Sequence, residues 1–208
     1  MNAATLPVAE EPADPDTGKL GMWIFLASEV LFFGGLFVAY LYGRTTWPQG
    51  WSAASRRTDV VLGTVNTALL LTSSAIIALA VACAEDAARR RWTARLLWAT
   101  AALGTAFLAI KGIEWQADWG EHLVPGPSFA IPTAGAQQFF ALYFVMTGLH
   151  AVHMIVGVGV LAVLAQGRAR DRVWARAGHI EVVALYWHFV DLVWIFLYPL
   201  LYLVERHG

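Results

Sequence analysis

Eight ionisable side chains lie inside long apolar stretches of this 208-residue chain, and their types and spacing could support chemistry. They are Glu29, Lys111, Glu114, His150, His153, Glu181, His188 and Asp191. Three pairs, 111 with 114, 150 with 153 and 188 with 191, are each three residues apart. This spacing places both members of a pair on one face of a helix. Because a charge in hydrocarbon is costly, we expect these groups to pair or to face a protein interior.

These residues allow three interpretations. They can join neighbouring helices by hydrogen bonds, they can store or relay protons, or they can bind a metal ion or haem. The sequence lacks two signatures of the third kind, the Glu-x-x-His and His-Glu-x-x-His spacings. Cys83 is the only cysteine of the sequence, which argues against any site built from several thiolates of this chain.

Glu29 is the strongest candidate for a proton-active group. Its own apolar stretch contains no second charged residue. A carboxylate in such a place either stays protonated or finds a partner on another segment. We expect that partner to be His153 or His188.

The composition excludes several classes of protein. Hydrophobic residues make up 58% of the chain, charged residues make up 14%, and the net charge is −1. A soluble domain would carry about a quarter charged residues, and a disordered chain would be polar and poor in aromatics. Nucleic-acid binding would require a clustered basic face. The composition therefore favours a membrane protein that does not bind nucleic acid.

Five apolar stretches are long enough to cross a bilayer as helices, since about 20 residues span its hydrocarbon core. The sequence thus predicts an all-α membrane protein, a bundle of five transmembrane helices within a domain of residues 19–208. Residues 1–18 are rich in acidic residues and predict a flexible tail. Six tryptophans near the ends of the stretches, Trp51 among them, are expected to form an interfacial belt. The predicted spans are 20–43, 59–83, 96–117, 136–165 and 180–204.

The basic residues predict the orientation. Lysines and arginines accumulate on the cytoplasmic side of membrane proteins. Nine of them, including Arg89 and Arg168, fall on the side of the N-terminus, and four fall on the opposite side. We therefore expect the N-terminus to be cytoplasmic and the C-terminus outside. The helical rise then places Glu29, His153, His188 and Asp191 near the midplane, and Lys111, Glu114 and His150 nearer the outside.

Four segments, in order along the chain, resemble motifs of subunit III of the haem-copper oxidases. Residues 21–33 (GMWIFLASEVLFF) and 111–115 (KGIEW) are similar to two of them. The third runs from residue 139 to residue 157 and contains His150 and His153. The fourth, residues 186–194 (YWHFVDLVW), is similar to a family segment that also has an upstream glutamate, here Glu181. The five-span pattern resembles the shorter bacterial members of this family.

The resemblance implies a non-redox accessory subunit of a bacterial cytochrome c oxidase, an enzyme that reduces oxygen to water and translocates protons. It implies a place in the bacterial inner membrane beside subunit I, with subunit II and small subunits as further partners. Haem and copper are expected in the partner subunits and not in this chain, and phospholipid is a candidate ligand. Glu29 would be the buried carboxyl that reacts with hydrophobic carbodiimides and supports proton uptake. The other seven ionisable residues would form a buried polar framework.

Other interpretations stay open at this point. The chain could be subunit III of a quinol oxidase, or a homologue associated with nitric oxide reductase. Outside the family, a stand-alone proton-coupled transporter or a membrane enzyme with a di-metal or haem site would use the same kinds of residue. The haem type and the copurifying subunits would distinguish the alternatives within the family. Transport by this chain alone would identify a stand-alone transporter.

Overall fold

The computed structural model describes residues 15–203, and every regular element in that range is helical. Six α-helices follow one another, with a short 3₁₀ turn at Ala87–Arg89 before the fourth and a π-helical turn at Pro199–Leu203 after the sixth. The helices are α1 (Pro15–Thr46), α2 (Pro48–Ser55), α3 (Val60–Ala84), α4 (Arg90–Gly120), α5 (Ala136–Ala169) and α6 (Ala177–Tyr198).

Five of these helices, all but α2, are long and apolar enough to cross a membrane. This confirms the predicted all-α bundle of five spans, although most helices extend beyond the predicted ends. Helix α1, for example, begins at Pro15, where a proline fits the first helical turn. The predicted tail therefore overlaps the helix by four residues, and its residues 1–14 lie outside the described part of the chain.

Four of the spanning helices form a closed ring, and the first helix lies outside it. Helix α3 packs against α4 and α6, and α5 also packs against α4 and α6. Helix α1 packs against α2, α5 and α6. The ring buries Lys111, Glu114 and Asp118 of α4 and His150 of α5, whereas α1 presents much of its surface to its surroundings.

Tryptophan and tyrosine side chains fix α6 against α3. Trp187 Nε1 donates to Ser73 Oγ at 3.0 Å, and Trp194 Nε1 donates to the hydroxyl of Thr67 at 3.0 Å. One turn further along, the hydroxyl groups of Tyr198 and Thr64 are 2.6 Å apart. The partners on α3 run backwards as those on α6 run forwards, so the two helices are antiparallel.

Helix α2 was not predicted, and it changes the role of Trp51. The side chain of Trp51 is fully buried, where it contacts the rings of Tyr40 and Phe139 at 5.9 and 5.8 Å between centroids. The expectation that Trp51 belongs to an interfacial belt is therefore wrong. It packs in the core because α2 folds back over the end of the bundle and contacts α5.

Candidate functional site

A buried network surrounds Lys111 near the end of the bundle where α3 begins and α4 ends. Its members, here called the lysine network, are Lys111, Glu114, Asp118, Tyr143 and Tyr202. Lys111 Nζ donates to Glu114 Oε2 at 3.1 Å, to the Tyr143 hydroxyl at 2.9 Å and to the Tyr202 hydroxyl at 2.6 Å. All three ammonium hydrogens are thereby used.

The two tyrosines link the lysine to the acidic side chains. The Tyr202 hydroxyl donates to Glu114 Oε1 at 2.6 Å. The Tyr143 hydroxyl lies 2.8 Å from Glu114 Oε1 and 3.0 Å from Asp118 Oδ2. The side chains of Lys111 and Glu114 are 2% and 3% exposed, and Asp118 is 7% exposed. The network is thus a desolvated ion pair with nearly every polar atom engaged.

Only part of this network was predictable. The i,i+3 pair of Lys111 and Glu114 is confirmed as a contact. Asp118 lay one residue beyond the predicted span, but its position one turn after Glu114 was a usable signal. Nothing in the single sequence pointed to Tyr143 or Tyr202, because their contacts depend on how α5 and the π-helical turn are placed against α4.

A pocket of about 370 Å³ opens beside the acidic side of the lysine network. Glu114 and Asp118 form part of its wall, and Arg56, Arg57 and Asp59 lie around it with Glu121. Arg57 and Glu121 approach each other to 3.7 Å. The network is therefore buried from the lipid side but borders a polar opening.

Glu29 and His153 meet where α1 packs against α5. Glu29 Oε2 lies 3.2 Å from His153 Nε2, and each side chain is 18% exposed. The geometry falls short of a hydrogen bond, and this oxygen has no other partner within residues 15–203. Of the two histidines predicted as partners of Glu29, the structure selects His153.

The backbone fixes which nitrogen of His153 carries hydrogen. Its Nδ1 lies 2.8 Å from the carbonyl oxygen of Leu149, and a carbonyl only accepts. Nδ1 is therefore the donor, and Nε2 faces Glu29 with a lone pair when the ring is neutral. A favourable contact with Glu29 then requires one further proton, held by either the carboxyl or the imidazole.

His188 and Asp191 lie on the α3 side of α6. The Ser74 hydroxyl and His188 Nδ1 are 2.7 Å apart, and His188 is partly buried. Asp191 is 3% exposed, and neither of its carboxylate oxygens has a hydrogen-bond partner in the described chain. The predicted midplane layer is thus divided between an α1–α5 contact and an α3–α6 contact.

His150 does not join the lysine network, contrary to the expected outer layer. The ring is 1% exposed and packs against Phe107 and Trp194, at centroid distances of 5.5 and 5.3 Å. Neither ring nitrogen has a partner among residues 15–203. The aromatic side chains hold it in an apolar site, and within the same residues no three His, Cys, Asp or Glu side chains converge as metal ligands would.

Glu181 is not buried, unlike most of the predicted framework residues. Its side chain is 45% exposed and lies 2.9 Å from Nζ of Lys19, which is itself 36% exposed. The prediction that Glu181 belongs to the buried framework is wrong. Helix α6 begins at Ala177, so Glu181 lies near its first turn, close to the start of α1.

An apolar groove follows the contact between α1 and α6. Its larger part, about 750 Å³, is lined by Trp23, Leu26 and Val30 of α1 and by His188 and Leu192 of α6, with further apolar neighbours. A second part of about 240 Å³ continues it along Phe33 and Phe196. Apart from His188, the side chains named along the groove are apolar.

Comparison with known proteins gives a consistent result. The family model described as cytochrome c oxidase subunit III matches residues 11–205. Cytochrome c oxidase subunit 3 of Thermostichus vulcanus is 35% identical over 92% of this chain and 90% of its own length. Quinol oxidase subunit 3 of Bacillus spizizenii is 30% identical over 93% of this chain and 91% of its own.

One relative has a different organisation. The haem-copper oxidase subunit I+III of Aeropyrum pernix is 32% identical over 93% of this chain, which covers 23% of that longer protein. The matched region is therefore one part of a chain whose name combines two subunits.

Proposed function

Because the chain belongs to the cytochrome c oxidase subunit III family, we propose that it is subunit III of a bacterial cytochrome c oxidase and carries no redox centre. Membership in the family makes it a multi-pass membrane protein with an accessory role in a haem-copper oxidase. The complex would reduce oxygen to water and translocate protons, with haem and copper in the partner subunits. The membrane would be the bacterial inner membrane, with the N-terminus of this chain in the cytoplasm.

The main contact of this chain would be with subunit I. The Aeropyrum pernix relative supports this, because its name combines subunits I and III in one chain. A covalent connection keeps two domains close together, and neighbouring subunits are natural candidates for fusion. Subunit II and small subunits would complete the complex.

Glu29 would be the proton-active carboxyl of the chain. The observation that carries this proposal is its contact with His153, whose Nδ1 hydrogen is committed to Leu149. The pair holds one proton in either of its two arrangements, so a small change in its surroundings can move that proton between oxygen and nitrogen. Such a pair can store a proton where α1 packs against α5.

The remaining buried groups would form a polar framework that fixes the helices. Lys111 and Glu114 join α4 to α5 and to the end of α6, and His188 joins α6 to Ser74 of α3. His150 and Asp191 would complete this framework, each within the bundle core. The groove between α1 and α6 would hold a phospholipid chain against the subunit.

The assignment is tested by gentle purification of the complex through a tag on this chain. A redox difference spectrum with haem-copper bands and a copurifying subunit I would support it. A colourless, metal-free chain that transports protons alone in liposomes would contradict it and favour a stand-alone transporter.

The role of Glu29 is tested by labelling with a hydrophobic carbodiimide. We expect Glu29→Gln to assemble normally and to lose the label in this chain. Glu181→Gln is the matched control, because it removes a carboxyl from the half-exposed surface pair. Unchanged labelling of the Glu29→Gln complex would show that another carboxyl reacts.

A second candidate function is supported by the quinol oxidase relative of Bacillus spizizenii. The chain would then serve the same accessory role in a complex that oxidises quinol. The subunit II that copurifies decides between the two, since a dinuclear copper site in it indicates cytochrome c as the donor. Subunit II without copper would favour quinol.

A further inference from the structure

We propose that the lysine network binds one exchangeable proton, which Asp118 and Glu114 share through the Tyr143 hydroxyl and which enters through the polar pocket beside them. This would be a second proton site in the chain. It involves none of the residues of the Glu29–His153 pair and lies near the opposite end of α4 from the basic residues of its start.

The number of hydrogens requires the extra proton. Six short contacts join the five members of the network. A lysine ammonium supplies three hydrogens and each tyrosine hydroxyl supplies one, which gives five donors. The Tyr143 hydroxyl has one hydrogen but faces both Glu114 at 2.8 Å and Asp118 at 3.0 Å. A proton on one of the two carboxyls completes the sixth hydrogen bond.

The balance of charge leads to the same conclusion. Lys111, Glu114 and Asp118 are all at least nine-tenths buried, and together they would carry one uncompensated negative charge if all were ionised. A buried charge without a partner is strongly unfavourable. One protonated carboxyl makes the group neutral.

The neighbouring charged groups do not supply the missing compensation. Arg57 faces Glu121 at 3.7 Å, and a guanidinium nitrogen of Arg56 donates to the Ser52 hydroxyl at 2.6 Å. Asp59 accepts from the backbone at the start of α3, through Val61 N and Leu62 N. From α5, the titratable group nearest in sequence to Tyr143 is His150, which packs among aromatic rings.

The contacts indicate where the proton rests. Glu114 accepts hydrogen bonds from Lys111, Tyr143 and Tyr202, as an ionised carboxylate does. Asp118 has its contact with Tyr143 and borders the pocket. We therefore place the proton on Asp118, which donates it to the Tyr143 oxygen. When Tyr143 passes its own hydrogen to Glu114 and takes the one from Asp118, a proton has moved between the carboxyls and no bond to carbon has changed.

Infrared spectroscopy tests the proposal directly. The probe is the proton itself, supplied by buffers of different pH in H₂O and D₂O to the complex purified through this chain. We expect wild type to show the C=O band of a protonated carboxyl that Asp118→Asn lacks and that shifts in Tyr143→Phe. Glu181→Gln, which removes a half-exposed carboxyl near the start of α6, should keep this band. Identical carboxyl bands in wild type and Asp118→Asn would overturn the proposal.

Thermal unfolding provides a second, independent readout. An asparagine at 118 can donate to Tyr143 as a carboxylic acid does, so we expect Asp118→Asn to unfold at the wild-type temperature. Glu114→Gln replaces a carboxylate oxygen by an amide NH₂ group, which can only donate, although all three neighbours of Glu114 are donors. We therefore expect the unfolding temperature of this variant to fall by about 4–8 °C. An equal loss in both variants would show that Asp118 is an ionised partner of Lys111. Neither measurement needs turnover, so the result does not depend on the oxidase assignment.

Discussion

Glu29 of α1 and His153 of α5 face each other across 3.2 Å, and a backbone carbonyl determines how they can share a proton. Leu149 lies one turn before His153 on the same helix and accepts the Nδ1 hydrogen. Only Nε2 of the imidazole therefore faces Glu29. This nitrogen has a lone pair when the ring is neutral and a hydrogen when the ring is charged. A structural detail of α5 thus controls the chemistry of a residue on α1.

Replacing His153 by leucine should increase the reactivity of Glu29. Without the imidazole, no side chain among the described residues faces Glu29 Oε2, so the carboxyl is more accessible to the reagent. We therefore expect carbodiimide labelling of this chain to become several-fold faster. His179→Leu is the control, since His179 is exposed near the start of α6. Equal labelling rates in the two variants would contradict this role of His153.

Lys111→Met should be strongly destabilising. It leaves a buried carboxylate and two tyrosine hydroxyls without their cation, and breaking a buried ion pair costs about 3–5 kcal/mol. Glu181→Gln breaks the half-exposed pair with Lys19, for which about 0–1 kcal/mol is typical. Unfolding in a denaturing detergent measures both. Equal losses for the two variants would mean that burial does not set the strength of the lysine network.

Gly157→Ala should destabilise the chain although alanine favours a helix. A methyl group at 157 would lie 2.9 Å from the indole ring of Trp187 and 3.2 Å from Tyr186, so a large ring must move. We expect a loss of about 1–3 kcal/mol. Gly159→Ala is a close control, because nothing lies within 4 Å of the added carbon. The free energy of unfolding of Gly159→Ala should equal that of wild type or be slightly higher. An equal loss of stability in both variants would show that helix geometry, and not the contact with Trp187, causes the effect.

Thr67→Val should weaken the contact between α3 and α6. Valine has nearly the same shape but cannot accept the hydrogen of Trp194 Nε1, which is left in an apolar site. The expected loss is about 1–2 kcal/mol. Thr72→Val removes a hydroxyl that bonds only within its own helix and is exposed, so it should have little effect. A larger loss at 72 than at 67 would refute the role of Trp194.

Hydropathy and spacing predicted the parts of the structure that depend on one helix at a time. The five spans followed from apolar length, and the Lys111–Glu114 contact followed from helical periodicity. The depth of each residue along its helix also reduced the candidate partners of Glu29 to His153 and His188. Each of these inferences uses only the rise and pitch of an α-helix, which hold before any packing is known.

The remaining features depend on how the helices are arranged around one another. Tyr143 contacts Lys111 from α5, and Tyr202 contacts it from the π-helical turn after α6. Hydropathy does not determine how a helix is rotated about its axis, so these contacts could not be predicted. Trp51 was predicted to be interfacial because it lies near the end of an apolar stretch. Its burial depends on how α2 folds over the bundle, which that pattern does not show. Glu181 was predicted to be buried because it falls within an apolar stretch, but its exposure depends on which face of α6 the neighbouring helices cover.

The position of α1 has a consequence for biosynthesis. A membrane protein is inserted from its N-terminus, so α1 leaves the ribosome before α5 and α6. Its spanning neighbours are α5 and α6, and the Tyr40 hydroxyl bonds to the carbonyl of Leu200, 160 residues later. Helix α1 must therefore remain in contact with lipid or with assembly factors until α6 has been synthesised.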